Sequence, residues 1–248
     1  MAYEYLAQCY DQFTEDVNYD RWADYVERHF ARSRLPIRTV LDLACGTGSL
    51  TRLLALRGYE MIGADLSEEM LAQAAEKCRG VGEPEPIFLH QAMEELDLYG
   101  TIDACVCCLD SINYVTRSGK LARAFQRVHT FLMPGGLFLF DINTPDKLQG
   151  LDGQIFLDEN ETSYCVWRAD YSPRRRVCTY GMDIFQREEN GLWRRWEEVH
   201  EEFAYQPEEL EELLRQAGFR RIKQYGELRM TPPRAGEGRI FFAARKDT

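Results

Sequence analysis

The stretch Val40-Leu41-Asp42-Leu43-Ala44-Cys45-Gly46-Thr47-Gly48-Ser49-Leu50 sets an apolar run of strand length against two glycines one residue apart. A turn of that kind bends sharply and bares backbone amides to a ligand. Its surroundings narrow the choice of ligand. A Walker loop would place a lysine directly after its last glycine, and none lies near Gly48. A dinucleotide fingerprint would place glycine or alanine at position 51, where this chain has Thr51. Asp65 lies about 20 residues beyond Gly46, the separation from which an acid reaches a ribose diol. The turn therefore reads as a seat for an adenosine ligand without phosphates.

Outward from the turn, short apolar strands are predicted at Thr39–Ala44, Glu60–Asp65, Pro86–His90, Ile102–Leu109 and Leu137–Ile142, with helices at Gly48–Arg57, Ser67–Arg79 and Ser118–Leu132 between them. Strand and helix in alternation predict an α/β fold, a doubly wound, mostly parallel sheet with helices on both faces. The second helix is sharply punctuated: Ser67 caps it, Glu68 and Glu69 occupy its positive first turn, and Gly80 closes it. Asp65 is thereby placed at the carboxyl end of strand two, where such folds bind ligands. Before the first strand, apolar and aromatic residues from Tyr3 to about Phe30 predict one or two amphipathic helices. After the fifth strand, Tyr164–Tyr171, Arg176–Gln186 and Leu192–Phe203 read as antiparallel strands, with turns at Ser172-Pro173 and Asn190-Gly191. A helix at Glu208–Ala217 and strands at Arg220–Tyr225 and Arg239–Arg245 complete the pattern. The expectation is a single domain over 1–248, with 1–35 as a helical cap and 151–206 as an inserted antiparallel β lid on a seven-stranded sheet.

A net charge of −11 over 248 residues argues against a protein held to nucleic acid by bulk charge, although a local patch stays open. Apolar runs such as Gly135–Ile142 are far shorter than the ~20 residues of a membrane helix. The opening MAYEYLAQCYDQF has no basic segment before an apolar core, so a cytoplasmic protein with no membrane partner is expected. Cys105, Cys107 and Cys108 sit in an apolar run, where cysteine acts as a small hydrophobe. Reduced thiols and no metal are expected, with a redox-sensitive Cys45 beside the ligand as the alternative.

VLDLACGTGSL resembles motif I of the class I S-adenosylmethionine-dependent methyltransferases, and GADLSEEML (63–71) resembles their second motif. The likeness continues through HQAMEELDL (90–98), IDACVCCLDSINYV (102–115), GGLFLFDINTP (135–145) and LLRQAGF (213–219). The head YDQFTEDVNYDRWADYV (10–26) and the inserted β block further resemble a bacterial subgroup whose substrates are generally unassigned. The resemblance implies S-adenosylmethionine as cofactor and assigns roles residue by residue. Backbone at Ala44, Cys45, Gly46 and Gly48 would hold its amino-acid part, with Asp42 supporting the ammonium. Asp65 would take both ribose hydroxyls, Leu66 and Met70 would flank adenine, and Met93 would offer a backbone amide to the ring. Relatives commonly carry aspartate where this chain has Ala92; Gln91 or a water would then substitute. Tyr10 either folds over the cofactor carboxylate or fills the core, and Cys108 ends the fourth strand beside the cofactor.

Polar groups after strands four and five face the transferred methyl in this fold. Asp110 and Asp141 are the first candidates for orienting an amine or hydroxyl, with Ser111, Asn113, Tyr114, Asn143 and Thr144 around them; local turn chemistry explains the same residues. In the lid, Tyr164, Trp167, Tyr180, Trp193, Trp196 and His200 would divide between two faces at period two. Tyr164 and Trp167 are candidate acceptor contacts. His200, the one lid histidine, is the candidate base, with an exposed strand histidine as the alternative. The arginines at 174–176 and 194–195 alternate in direction and cannot all face one ligand. The function expected is methyl transfer to N or O of a small molecule or protein side chain. A tRNA or rRNA methyltransferase and a non-catalytic cofactor-binding module stand as alternatives, and a nucleotide-dependent oxidoreductase is disfavoured by Thr51.

Overall fold

A computed structural model describes residues 6–247. The predicted alternation is present as strands β1 (Thr39–Leu43), β2 (Glu60–Asp65), β3 (Ile87–His90), β4 (Ile102–Cys107) and β5 (Leu132–Asn143). With β10 (Arg220–Gly226) and β11 (Arg239–Arg245) they form a seven-stranded sheet ordered β10-β11-β5-β4-β1-β2-β3. Neighbours among β1 to β5 pair parallel, and β11 runs antiparallel to both β5 and β10. Helices α3 (Ser49–Leu56), α4 (Glu68–Lys77), α5 (Ser118–Phe131) and α7 (Pro207–Gln216) connect the strands. Ser67 caps α4 as expected, its Oγ accepting from Met70 N at 3.2 Å.

Alternation along each strand builds two cores. Leu41, Leu43, Phe138 and Phe140 face one side, toward Phe125 of α5 and Leu210 and Leu214 of α7. Val40, Leu137, Leu139 and Phe241 face the other, against Leu54 of α3 and the N-terminal helix α2 (Tyr19–Phe30). Buried residues of α2 (Trp22, Ala23, Tyr25, Val26, His29 and Phe30) recur at the spacing of one helical stripe. By the same parity Asp42 and Asp141 belong to the α2–α3 side. A shorter helix, α1 (Tyr10–Phe13), precedes α2; Tyr3, where the predicted helical stretch starts, lies outside the described residues.

Between β5 and α7 the chain makes a second, antiparallel sheet from β6 (Ile155–Glu159), β7 (Ser163–Ser172), β8 (Val177–Arg187) and β9 (Trp193–Phe203), preceded by α6 (Pro145–Gly150). β7, β8 and β9 match the sequence reading; β6 and α6 extend it. Asn113 joins the two sheets. Its amide donates to Asn143 O and Phe203 O, both at 3.0 Å, and its oxygen accepts from Asn143 N at 3.0 Å. Asn113→Ala is expected to lower stability by about 2–4 kcal/mol, because buried backbone groups lose their partners. Denaturant midpoints at unchanged slope would measure it.

No described helix is long and apolar enough to cross a membrane. Cys105 and Cys108 have a spacing seen in metal knuckles, yet Cys105 packs into the α5–α7 core and Cys108 into the α2–α3 core. They cannot converge on one ion.

Candidate functional site: a cleft at the glycine turn

The carboxyl ends of β1 and β2 open into a cleft of about 970 Å³. Its floor is the turn after β1. Ala44, Gly46 and Gly48 all have left-handed backbones, with φ of 60°, 54° and 75°. The two glycines serve different ends. A Cβ on Gly46 would meet no atom within 4 Å, so this residue leaves space on the ligand side. A Cβ on Gly48 would sit 2.9 Å from Ala74 Cβ, so this one lets α3 approach α4. Gly48 accordingly does not line the cleft.

Asp65 secures the turn. One carboxylate oxygen accepts from Gly46 N at 2.8 Å and the other from Ser67 N at 2.9 Å. Burial pushes its carboxyl up, and these amides oppose that shift. Asp42 lies deeper, accepting from Thr51 Oγ1 at 2.6 Å, and burial raises its carboxyl to about 6. Thr51 is therefore the partner of the strand-one acid, a role its departure from the dinucleotide pattern did not disclose. Burial also pushes the Cys45 thiol well up, so it stays protonated at neutral pH, which opposes the redox alternative.

Ala44, Cys45, Gly46, Asp42, Asp65, Leu66, Met70, Gln91, Ala92, Met93, Cys108 and Tyr10 all line the cleft. Leu66 stands 66% exposed at the rim, whereas Met70 is buried. Gln91 spends both ends of its amide on Asp97, accepting from the backbone N at 2.9 Å and donating to the O at 3.2 Å. It is thus held in place beside Ala92. Tyr19 and Trp22 of α2, which sequence reasoning placed only in an amphipathic helix, complete the wall with Tyr10. Helix α1 is pinned against the turn by Asp11, which accepts from Thr47 Oγ1 at 2.6 Å and pairs with Lys77 Nζ at 2.7 Å.

The candidates beyond β4 and β5 divide. Ser111 and Tyr114 line the cleft; Asp110, Asn113, Asp141 and Asn143 do not. Asp110 and Asp141 share the guanidinium of Arg239, with Asp110 Oδ1 at 2.6 Å from Nη2 and Asp141 Oδ2 bonded to Nη1. Asn143 is buried, its amide donating to Glu202 Oε2 at 2.9 Å and its oxygen accepting from Lys147 Nζ at 2.8 Å. Leu109 and Asp110 are consecutive left-handed residues, φ 59° and 52°, a conformation costing on the order of 1–3 kcal/mol each outside glycine.

The second sheet supplies no residue to the cleft wall. Tyr164 packs edge-on to Phe185, and Trp167 stacks on Phe156 at 4.0 Å while its Nε1 donates to Asp158 at 2.9 Å. Tyr164 serves the sheet itself, and Trp167 also packs against the cluster of Leu6 and Cys9 from the N-terminal segment. His200 is buried rather than solvent-exposed. Its Nε2 lies 2.8 Å from Glu198 Oε2 and its ring meets the edge of Tyr114, so it stands behind the cleft wall.

Residues 40–136 match the family model described as a methyltransferase domain. The whole chain is similar to the methyltransferase-named protein YqeM of Bacillus subtilis (strain 168), 34% identical over 251 residues that span 99% of this chain and 98% of the relative. Among solved structures, it is similar to an S-adenosylmethionine-dependent methyltransferase from Clostridium acetobutylicum ATCC 824, with TM-score 0.87, 30% identity and 100% of both chains covered. It is also similar to the sugar N-methyltransferase KedS8 from Streptoalloteichus sp ATCC 53650, with TM-score 0.77, 25% identity and 96% and 93% of the two chains covered.

Proposed function

As the chain belongs to the S-adenosylmethionine-dependent class I methyltransferases, we propose that it moves a methyl group from that cofactor to a nitrogen or oxygen of a small molecule. The observation that carries this reading is the open side of Gly46 beside the carboxylate of Asp65. Such a pairing suits a ribose diol, and the amides of Cys45, Gly46 and Gly48 already donate to Ala64 O, Asp65 Oδ2 and Cys45 O, so they are not free to grip a pyrophosphate. Asp65 would hold the ribose, Asp42 the ammonium, and Leu66, Met70 and the Met93 amide the adenine. KedS8 is named for methylating a sugar nitrogen, which supports a small acceptor.

When bound, the cofactor supplies a methyl on a positively charged sulfur and so carries its own activation. The chain's contribution is alignment, which can lower such a barrier by ~7–11 kcal/mol. Tyr10, Tyr19, Trp22 and Tyr114 exclude water, and Ser111 and Tyr114 orient the acceptor. Asp110 and Asp141 are assigned to holding the loop after β4, because Arg239 occupies both carboxylates. His200 is assigned to supporting Tyr114 from behind.

Cofactor affinity should depend on pH through Asp42. Its carboxyl, raised to about 6 by burial, pairs with an ammonium only when ionised. Affinity should therefore be full at pH 7 and about tenfold weaker at pH 5, where roughly a tenth stays ionised. Calorimetry at the two pH values checks this, and Asp42→Asn should flatten the difference. Transfer itself is tested by incubating the protein with methyl-labelled cofactor and the fractionated extract of a source cell. Label in a small-molecule fraction is expected. Tight cofactor binding with no labelled fraction would point to a non-catalytic module, and label confined to RNA to the nucleic-acid alternative.

A further inference from the structure

We infer that Arg239, arriving from the last strand, is the positioning residue of the methyl-transfer site, fixing the loop after β4 and the aromatic wall of α2 in the arrangement that closes the cleft. The inference rests on the proposed cofactor for its ligand, and on the packing of this chain for the rest. Arg239 follows the parity of Phe241 on β11, and Phe241 is paired with Asp141, so guanidinium and carboxylate lie on the same side of the sheet. Three walls meet on it. Its fork bonds Asp110 Oδ1 and Asp141 Oδ2, and its carbon lies 5.5 Å from the centre of the Trp22 ring. Asp141 Oδ2 also accepts from Asp110 N at 3.0 Å. The backbone so clamped is the strained Leu109–Asp110 pair, and Leu109, Ser111 and Trp22 are cleft residues.

The clamp is electrostatically one-sided. Asp141 is fully buried, and its Oδ1 has no hydrogen-bond partner among the described residues. Two carboxylates here are compensated by one cation. Removing that cation leaves like charges side by side, and such a pair keeps a proton and gives it up only as the pH rises. The other ionisable groups near the pair are Glu227, 4.0 Å from Arg239, Cys107 and Cys108 of β4, Tyr25 of α2, Tyr10 of α1 and Glu202 of β9. Burial holds the thiols and phenols neutral through the alkaline range. Burial and then the charge of Asp110 raise Glu202 to about 8, so Glu202→Gln is carried in wild type and variant alike, which leaves the pair as their difference.

Arg239→Gln is the test, read by S-adenosylhomocysteine calorimetry and by hydrogen exchange of amides 109–115, corrected for intrinsic rates, at pH 6.5 and 8.5. The variant should lose at least about tenfold more affinity than wild type on going to pH 8.5, with protection of 109–115 falling in parallel, as the pair ionises. Adding Asp141→Asn should remove that pH dependence. A loss equal at both pH values, or one that Asp141→Asn leaves unchanged, would overturn the inference. Should Arg239→Gln fail to fold, Arg239→Lys keeps the charge without the fork and should reduce protection of 109–115 equally at both pH values; unchanged protection would also overturn it. Wild-type protein that binds no S-adenosylhomocysteine would contradict the cofactor reading instead, and the exchange measurement alone would then decide the role of Arg239.

Discussion

Asp65→Ala should weaken S-adenosylhomocysteine binding by about a hundredfold to ten-thousandfold. Two hydrogen bonds from hydroxyls to a carboxylate contribute about 1.5–3 kcal/mol each, and 1.4 kcal/mol is tenfold in affinity. The side chain has a second task. It accepts from Gly46 N and Ser67 N, so its loss also releases the turn. Asp65→Asn separates the two effects. The amide can still accept one backbone bond, so the fold should change little while most of the affinity is lost. Calorimetry on both variants, with thermal midpoints alongside, distinguishes a damaged turn from a missing ribose contact.

Gly48→Val should cost about 3–5 kcal/mol of stability, against about 1 kcal/mol for Gly46→Ala. At Gly48 a left-handed backbone, unfavourable for a β-branched residue, coincides with overpacking against Ala74. At Gly46 only the backbone term applies, because a Cβ there meets nothing within 4 Å. The ranking for binding should invert. Gly46→Ala puts a methyl into the space proposed for the cofactor and should reduce affinity in a protein that remains folded. Denaturant unfolding and S-adenosylhomocysteine titration, run on both variants, measure the two orders. Equal stability losses would show that the turn does not divide its glycines between packing and ligand.

The sheet was legible because its strands are short apolar runs with glycine, serine or proline at their ends, and the helices between them carry an apolar stripe. What escaped had weak local signals. In β6, Ile155 and Leu157 are largely exposed, so an apolar alternation here marks an outward face and forms no core. Helix α6 is a six-residue segment opened by Pro145.

Legibility of the site followed the range of its contacts. The half around the glycine turn draws mainly on the ends of β1, β2 and β3, each followed by its own local signal, and the sequence-named residues other than Gly48 line the cleft there. The acceptor half does not, because Arg239 is 98 residues from Asp141 and 129 from Asp110. Nothing near LDSINY or FDINTP announces that an arginine beginning the strand RIFFAAR will bond both acids. Period-two reasoning similarly divided the aromatics of the second sheet between two faces. It could not say that Tyr164 would pack on Phe185 of its own sheet or that Trp167 would reach the N-terminal Leu6 and Cys9 cluster.

The central claim, a phosphate-free adenosyl ligand on the Ala44–Thr47 backbone, is met most directly by a calorimetric comparison of S-adenosylhomocysteine and NAD at pH 7. Saturable binding of S-adenosylhomocysteine at one site per chain, lost in Asp65→Ala, with no heat from NAD, is the predicted result. Saturable binding of NAD with none of S-adenosylhomocysteine would contradict it.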